Sequence, residues 1–371
     1  MKKLLISLVL VTFFTLMFTI SLPCPAMAKT IQWRMGSCWS PSNALIDPDK
    51  HFVEIVNEMA GDKLNIKFYS VGEVVSAFEL FGAVSNNTLQ AGGDWAGYWV
   101  GKNTAFNVLC GFPMAPRQID YATWIYTDGG INTYNEIYGK YGLVYFPHCV
   151  VSTESGIRGK KKYLSLSDFK GSKVRMAGKL QGRLLQDLGA VPITIAGEEI
   201  YEALQRGLID AAEYSVPNID WSVGLQQVTT EWNVPGWYQT GAVTGVMINK
   251  KAWEELPKEL QAIVKYAAQA TTVWSMGHFN LESGRATKKF LDKGAHINTL
   301  DDASIDKIEV MAYENMLEEA QKNPLFAKAL YSLFRTIEDV APYRNKIEAP
   351  ILKREIKIPN MELLKQYAEG K

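Results

Sequence analysis

Polar and apolar residues alternate singly over Ile31-Gln32-Trp33-Arg34-Met35, the period of a half-buried strand. The period then lengthens: Phe52, Ile55, Val56 and Met59 recur at three- and four-residue steps, which predicts an amphipathic helix over 49–59. Between the two lies a loop, 37–43, that carries Trp39. Gly61-Asp62-Lys63 turns the chain into a second strand, 64–69, and another helix over 77–85 leads to Gly92-Gly93. The rhythm restarts at 142–146. It continues with a strand at 173–176, a helix at 180–188, a strand at 191–195 and a helix at 198–206. Gly207 stands where a C-cap glycine belongs, and 208–212 reads as a buried strand. Alternation of this kind predicts α/β layers, and the restart predicts two of them.

From Pro257 the pattern becomes helical throughout: 259–291, 301–323, 325–340 and 361–368. Trp253, Leu260, Ile263, Val264 and Ala267 form one apolar stripe. No proline interrupts 258–291, so this stretch is either one very long helix or two pieces joined near Gly277 or Gly284. A helix of that length would brace two lobes. The chain shows no fixed-period repeat and no low-complexity segment.

The front of the chain changes the picture. Lys2 and Lys3, an uncharged run over 4–22 and Ala26-Met27-Ala28 have the form of a signal peptide over 1–28, which implies export to the periplasm. The run is also long enough to anchor uncleaved, although Pro23 and the cleavage site favour removal. Cys24 follows Pro23, where a lipidation signal wants a small residue. Taking away Lys2 and Lys3 leaves 37 basic against 39 acidic residues, no basis for nucleic-acid binding. The rest has the length of two domains. Cys38, Cys110 and Cys149 are odd in number and widely spaced; they make no disulfide framework and no Cys-x-x-Cys metal site.

Enzyme signatures are absent: no Gly-x-Ser-x-Gly, His-Glu-x-x-His, phosphate loop or dinucleotide fingerprint occurs. His51, His278 and His296 read as surface or packing residues. His148 and Cys149 are adjacent on a strand and so point to opposite faces. Three places deserve weighing. Arg175, in Gly171-Ser172-Lys173-Val174-Arg175, would bring a guanidinium to a sheet end, where it pairs either with a ligand carboxylate or, more commonly, with a neighbouring acid. Glu213-Tyr214 ends a second strand with a carboxylate that needs an arginine, a metal ion or hydrogen-bond donors. The turn from Pro235 to Gly241 carries Trp237 and Tyr238, which form either a pocket wall or core.

Leu166-Ser167-Asp168-Phe169-Lys170-Gly171-Ser172-Lys173-Val174-Arg175 resembles the "L-x-D-L-K-G-x-K-x-R" motif of the solute-binding proteins of TRAP (tripartite ATP-independent periplasmic) transporters. The likeness continues through Gly189-Ala190-Val191-Pro192, the stretch 199–213 and Ile248-Asn249-Lys250-Lys251-Ala252-Trp253. Tyr98-Trp99-Val100-Gly101-Lys102-Asn103 and Pro235-Gly236-Trp237 resemble the subgroup that binds 2-oxo or 2-hydroxy monocarboxylates together with a metal ion. The resemblance implies a two-lobed α/β periplasmic binding protein fold with a hinge and a long helix spanning both lobes. Lobe I would comprise 29–152 plus 241–280, lobe II 153–240 plus 281–350, and 351–371 a C-terminal extension able to pair two copies. It implies substrate contacts from Arg175, Trp39, Tyr98, Glu154, Arg158, Tyr214 and Trp237, and a metal held by Glu154, Glu213, the carbonyl of Tyr214, and Gln239.

Two departures cancel: Glu154 stands where the subgroup has glutamine and Gln239 where it has glutamate. The oxygen set suits Ca²⁺ ahead of Na⁺. Val150 stands where the subgroup has a polar asparagine, a lost donor that argues against simple pyruvate-like recognition. Arg158 stands where it has a tryptophan, which would suit a second carboxylate if Arg158 points inward and otherwise belongs to a solvated basic turn with Lys160, Lys161 and Lys162. The implied mechanism is capture of a small organic acid by hinge closure and delivery to TRAP-type integral membrane subunits. The rivals are a sensory binding protein and an exported metal-dependent hydrolase.

Overall fold

A computed structural model describes residues 30–354, 357 and 359–369. The leader expected over 1–28 lies outside the described residues. Along the chain run β1 (Ile31–Ser37), β2 (Leu64–Tyr69), β3 (Ala91–Trp95), β4 (Leu143–Val151), β5 (Ile157–Gly159) and β6 (Lys173–Arg175). They are followed by β7 (Val191–Ile193), β8 (Ala211–Ala212), β9 (Glu231–Val234), β10 (Ala242–Asn249) and β11 (His296–Thr299). They form two sheets, ordered β2-β1-β3-β10-β4 and β11-β9-β5-β8-β6-β7. In the first sheet β2, β1 and β3 are parallel and β10 runs antiparallel to both its neighbours. In the second, β8, β6 and β7 are parallel, which sends their carboxyl ends to one edge. Every residue of β10 is buried, as expected of a strand covered on both faces.

The chain passes between the sheets three times: over 152–156 after β4, over 235–241 after β9, and within one 35-residue helix, Lys258–Asp292. That helix resolves the choice between one piece and two. Its buried positions, Leu260, Val264, Ala267, Thr271, Ser275, Phe279, Ala286 and Phe290, keep helical spacing along its whole length. One end packs on β4 and the helix Asp47–Ala60, the other on the helix Pro217–Ser222 of the second layer, where Trp221 meets Phe290 edge-on at 5.1 Å. The helix Asp302–Lys322 lies against Lys179–Asp187 of the second layer. Pro324–Tyr343, by contrast, packs on Gln118–Thr127 and Phe106–Cys110 of the first. Among the described residues no helix is long and apolar enough to cross a membrane.

Two expectations need correction. Met59 is 57% exposed, because Val53 and Ala60 take the inner face of its helix. Leu208 is 61% exposed, and the strand predicted over 208–212 shrinks to Ala211–Ala212: the chain is still leaving its helix through Gly207, at φ +70°, when Leu208 is reached. Cys38, Cys110 and Cys149 are buried free thiols.

Within β3 Asp94 is wholly buried, accepting at Oδ2 from Tyr138 at 2.9 Å and from the indole of Trp99. Burial pushes its carboxyl up to about 7, against the opposing hydrogen bonds of Trp99, Tyr138 and Tyr145. A carboxyl raised in the folded state contributes stability that is present below its unfolded value and lost as pH climbs through the folded one. Asp94→Asn keeps the acceptor and removes the charge. Its melting temperature relative to wild type is therefore expected to rise as pH climbs from the ordinary value of 3.8 to about 7, most steeply between the two, and to level off above. A flat difference from about pH 4 to pH 8, read by calorimetry, would contradict this placement of Asp94.

Candidate functional site

The parallel strands β6 and β8 end side by side, and their last residues carry the chemistry. Arg175 closes β6; Glu213 follows β8, and its N–H donates to the Arg175 carbonyl at 3.2 Å. Ligand crevices open at such carboxyl ends. Arg175 Nη1 donates to Glu213 Oε1 at 2.8 Å and to the Glu213 carbonyl at 3.0 Å, while Nε and Nη2 each donate to the Ile195 carbonyl at 3.2 Å. One Nη2 hydrogen remains uncommitted. The guanidinium centre lies 5.6 Å from the ring centroid of Tyr214. Glu213 Oε1 also accepts from Ala177 N–H at 2.7 Å.

The two short crossings supply the next pair. Glu154 N–H donates to the Gln239 carbonyl at 3.1 Å, tying one crossing to the other. Gly236 makes this possible: a Cβ there would lie 2.2 Å from the Glu154 carbonyl oxygen, so only glycine admits that approach. Gln239 Nε2 donates to the Cys110 carbonyl at 3.3 Å, which leaves its amide oxygen directed elsewhere.

These groups share one cavity between the sheets. From the first side it is lined by Trp39, Leu45, Trp95, Tyr98, Val151, Ala242 and Thr244; from the second and the crossings by Glu154, Arg175, Ala177, Glu213, Tyr214, Ser215 and Gln239. Water-sized atoms find room for their centres over about 30 Å³ of it. Three lining atoms are buried without a hydrogen-bond partner: Trp39 Nε1, Thr244 Oγ1 and Glu154 Oε2. A buried donor or acceptor left unpaired costs about 1–3 kcal/mol, so the cavity wall is built to meet something polar.

Charge follows geometry. Burial pushes the Glu154 carboxyl well up, and the neighbouring Glu213 and Asp220 add to it. Burial also raises Glu213, opposed by Arg175. Burial works against the Arg175 cation, yet Glu213, Tyr98, Tyr214 and Glu154 outweigh it and hold the guanidinium above its ordinary value. Among the described residues no three His, Cys, Asp or Glu side chains gather as in a carboxylate-rich metal centre. What the cavity offers a cation is mixed: two carboxylates, one with an unpartnered oxygen, and the amide oxygen of Gln239. All are hard oxygen donors, and the set fits a hard cation.

Arg158 and Trp237 do not line the cavity, contrary to expectation. Arg158 is 1% exposed; its Nε donates to Asp220 at 2.6 Å, and its guanidinium lies 3.8 Å from the ring centroids of both Trp232 and Phe290. β5 turns that side chain toward the long helix. Trp237 packs on Phe169 and Tyr238 as core. Val150 is buried off the cavity, its carbonyl accepting from Gln118. Sequence reasoning missed Trp95, Ala177, Ser215 and Thr244, which carry no charge and follow no motif. His148 turns away from the cavity to Asp49, at 2.7 Å.

Residues 35–322 match the model of the bacterial extracellular solute-binding proteins, family 7. The chain belongs to that family. It is a solute-binding protein of the TRAP type, and not an enzyme, which removes the hydrolase; the family is periplasmic. A monocarboxylate 2-oxoacid-binding periplasmic protein of Nostoc sp. is 28% identical over 82% of this chain and 83% of its own length. A TRAP solute-binding protein of Pseudoalteromonas atlantica, solved with sodium and pyruvate, superposes with a TM-score of 0.83 at 28% identity, over 88% of this chain and 100% of its own. One from Bordetella bronchiseptica, a mixed-occupancy dimer with calcium and picolinate, gives 0.83 at 26%, over 92% and 99%. The two-lobed α/β fold of these proteins is the fold of this family member.

Proposed function

We propose that this TRAP solute-binding protein captures a small 2-oxo or 2-hydroxy monocarboxylate between its lobes and delivers it to TRAP-type membrane subunits. The observation that carries the reading is the cavity itself: a buried guanidinium with a free hydrogen, beside unpartnered Trp39 Nε1 and Thr244 Oγ1 donors. An anion of a few heavy atoms fits that room. The names of the Nostoc and Pseudoalteromonas proteins point to the same class. Arg175 clamps the carboxylate, while Trp39, Tyr98 and Tyr214 wall the rest.

Glu154, Glu213, Gln239 and the Tyr214 carbonyl would hold a cation, Ca²⁺ ahead of Na⁺ because two carboxylates match a double charge. When bound, the cation would offer the ligand's oxygens a positive partner and offset the two buried acids. Hinge motion occurs at Val150–Thr153 and near Gly241, between lobe I (29–152 and 241–280) and lobe II (153–240 and 281–323). The expected extent of lobe II to 350 is corrected, because the helix Pro324–Tyr343 packs back on Gln118–Thr127 and Phe106–Cys110 of lobe I. The leader over 1–28 is removed on export. Beyond 351 the helix Met361–Ala368, with exposed Met361, Leu363 and Leu364, serves to pair two copies.

A thermal-shift series tests this. Pyruvate or lactate with CaCl₂ is expected to raise the melting temperature by several degrees, an increase that EGTA abolishes and a neutral sugar does not produce. Stabilisation by the sugar alone, or by pyruvate unaffected by EGTA, would defeat the proposal.

A further inference from the structure

The cavity is not the only meeting place of the two lobes. Trp39 and Leu45 line it, and the loop between them reaches across to the second lobe through residues that do not. Glu198 Oε1 accepts from Ser40 N–H at 3.1 Å and from Asn43 Nδ2 at 3.1 Å. Asn43 is fully buried; its Nδ2 also bonds the Tyr214 hydroxyl, and its Oδ1 accepts from Leu45 N–H at 3.0 Å. Beside them Ser222 Oγ accepts from Ala44 N–H at 3.0 Å. Each of these bonds except the one to Leu45 joins the lobes, and none needs a ligand.

We infer that Glu198 is a closing latch, a positioning residue that holds the Trp39–Leu45 loop over the cavity without touching the solute. The inference rests on the two-lobe capture reading above. A contact present only in the closed arrangement raises its population whether or not solute is bound. Apparent affinity scales with the competent fraction, so part of the affinity resides outside the cavity. Both bonds at Oε1 are charge-assisted, and on opening their donors return to water. A net shift of roughly tenfold in the closed-to-open ratio is expected from their loss.

The test uses the full mature chain with Glu198→Ala, Glu198→Gln and Ser222→Ala. Spin labels at Lys140→Cys in the first lobe and Lys162→Cys in the second report the interlobe distance by pulsed EPR; Cys38, Cys110 and Cys149 are buried away from the label. Without ligand, Glu198→Ala is expected to move the distribution toward longer distances. Glu198→Gln, which keeps an acceptor oxygen, should recover much of the closed fraction, and Ser222→Ala should shift it in the same direction as Glu198→Ala. In stopped flow with pyruvate and CaCl₂, Glu198→Ala should release about tenfold faster with its preference among acids unchanged. Distributions and release rates that coincide with wild type in both Glu198→Ala and Ser222→Ala would overturn the latch while leaving acid capture intact. If pyruvate fails to bind but the ligand-free distributions shift, the latch stands and the acid reading falls.

Discussion

Arg175→Ala is expected to weaken binding of pyruvate by at least about 100-fold, measured by calorimetric titration in CaCl₂. Two losses combine. The ligand carboxylate forfeits a charge-assisted donor in a buried cavity, where such a bond is worth about 1.5–3 kcal/mol. Glu213 forfeits its ion-pair partner at 2.8 Å and, with Glu154 close by, leaves two buried carboxylates facing an incoming anion. Arg175→Lys is expected to recover little, since one ammonium cannot reproduce the fork that reaches Glu213 and the Ile195 carbonyl together. Retention of affinity within threefold in Arg175→Ala would remove the clamp from the account.

Arg158→Met tests the opposite assignment. Deleting a cation whose partner Asp220 is also buried leaves an unpaired charge, a change that typically costs about 3–5 kcal/mol. Methionine keeps the volume between Trp232 and Phe290, so packing is largely spared. Chemical denaturation is expected to show the loss, while the ratio of affinities for a monocarboxylate and a dicarboxylate stays at the wild-type value. A dicarboxylate preference that disappears with Arg158 would restore it to the ligand site.

The difference between the two arginines shows what a sequence can carry. Arg175 ends a parallel strand, and the end of such a strand is a position that topology alone aims at a crevice. Arg158 lies within β5, where the face a side chain takes depends on register against β8 and β9 and on the arrival of Phe290 from a helix more than a hundred residues later. No local pattern contains that information. The cavity's uncharged lining was invisible for a related reason: Thr244 sits in a fully buried strand whose composition reads as core, and only the unpartnered hydroxyl distinguishes it. The C-cap at Gly207 and the strand Leu64–Tyr69 were legible because their signals are local. The length of Lys258–Asp292 was legible as a range, and packing against both layers decided for a single helix.

That helix limits how the molecule can move. Two bodies joined by one flexible strand can adopt almost any relative orientation; here two short crossings lie side by side, tied by the Glu154–Gln239 bond, and a rigid rod fixes a third point. With these three, and a fourth attachment at Asn323 where the chain steps from Asp302–Lys322 on the second layer to Pro324–Tyr343 on the first, the remaining freedom approaches a single rotation. An opening protein of this design must bend the rod or slide it over the helix Pro217–Ser222. In the proposed capture cycle the edge opposite the crossings would travel farthest, and each closure would return Trp39 and Arg175 to the same distance from one another.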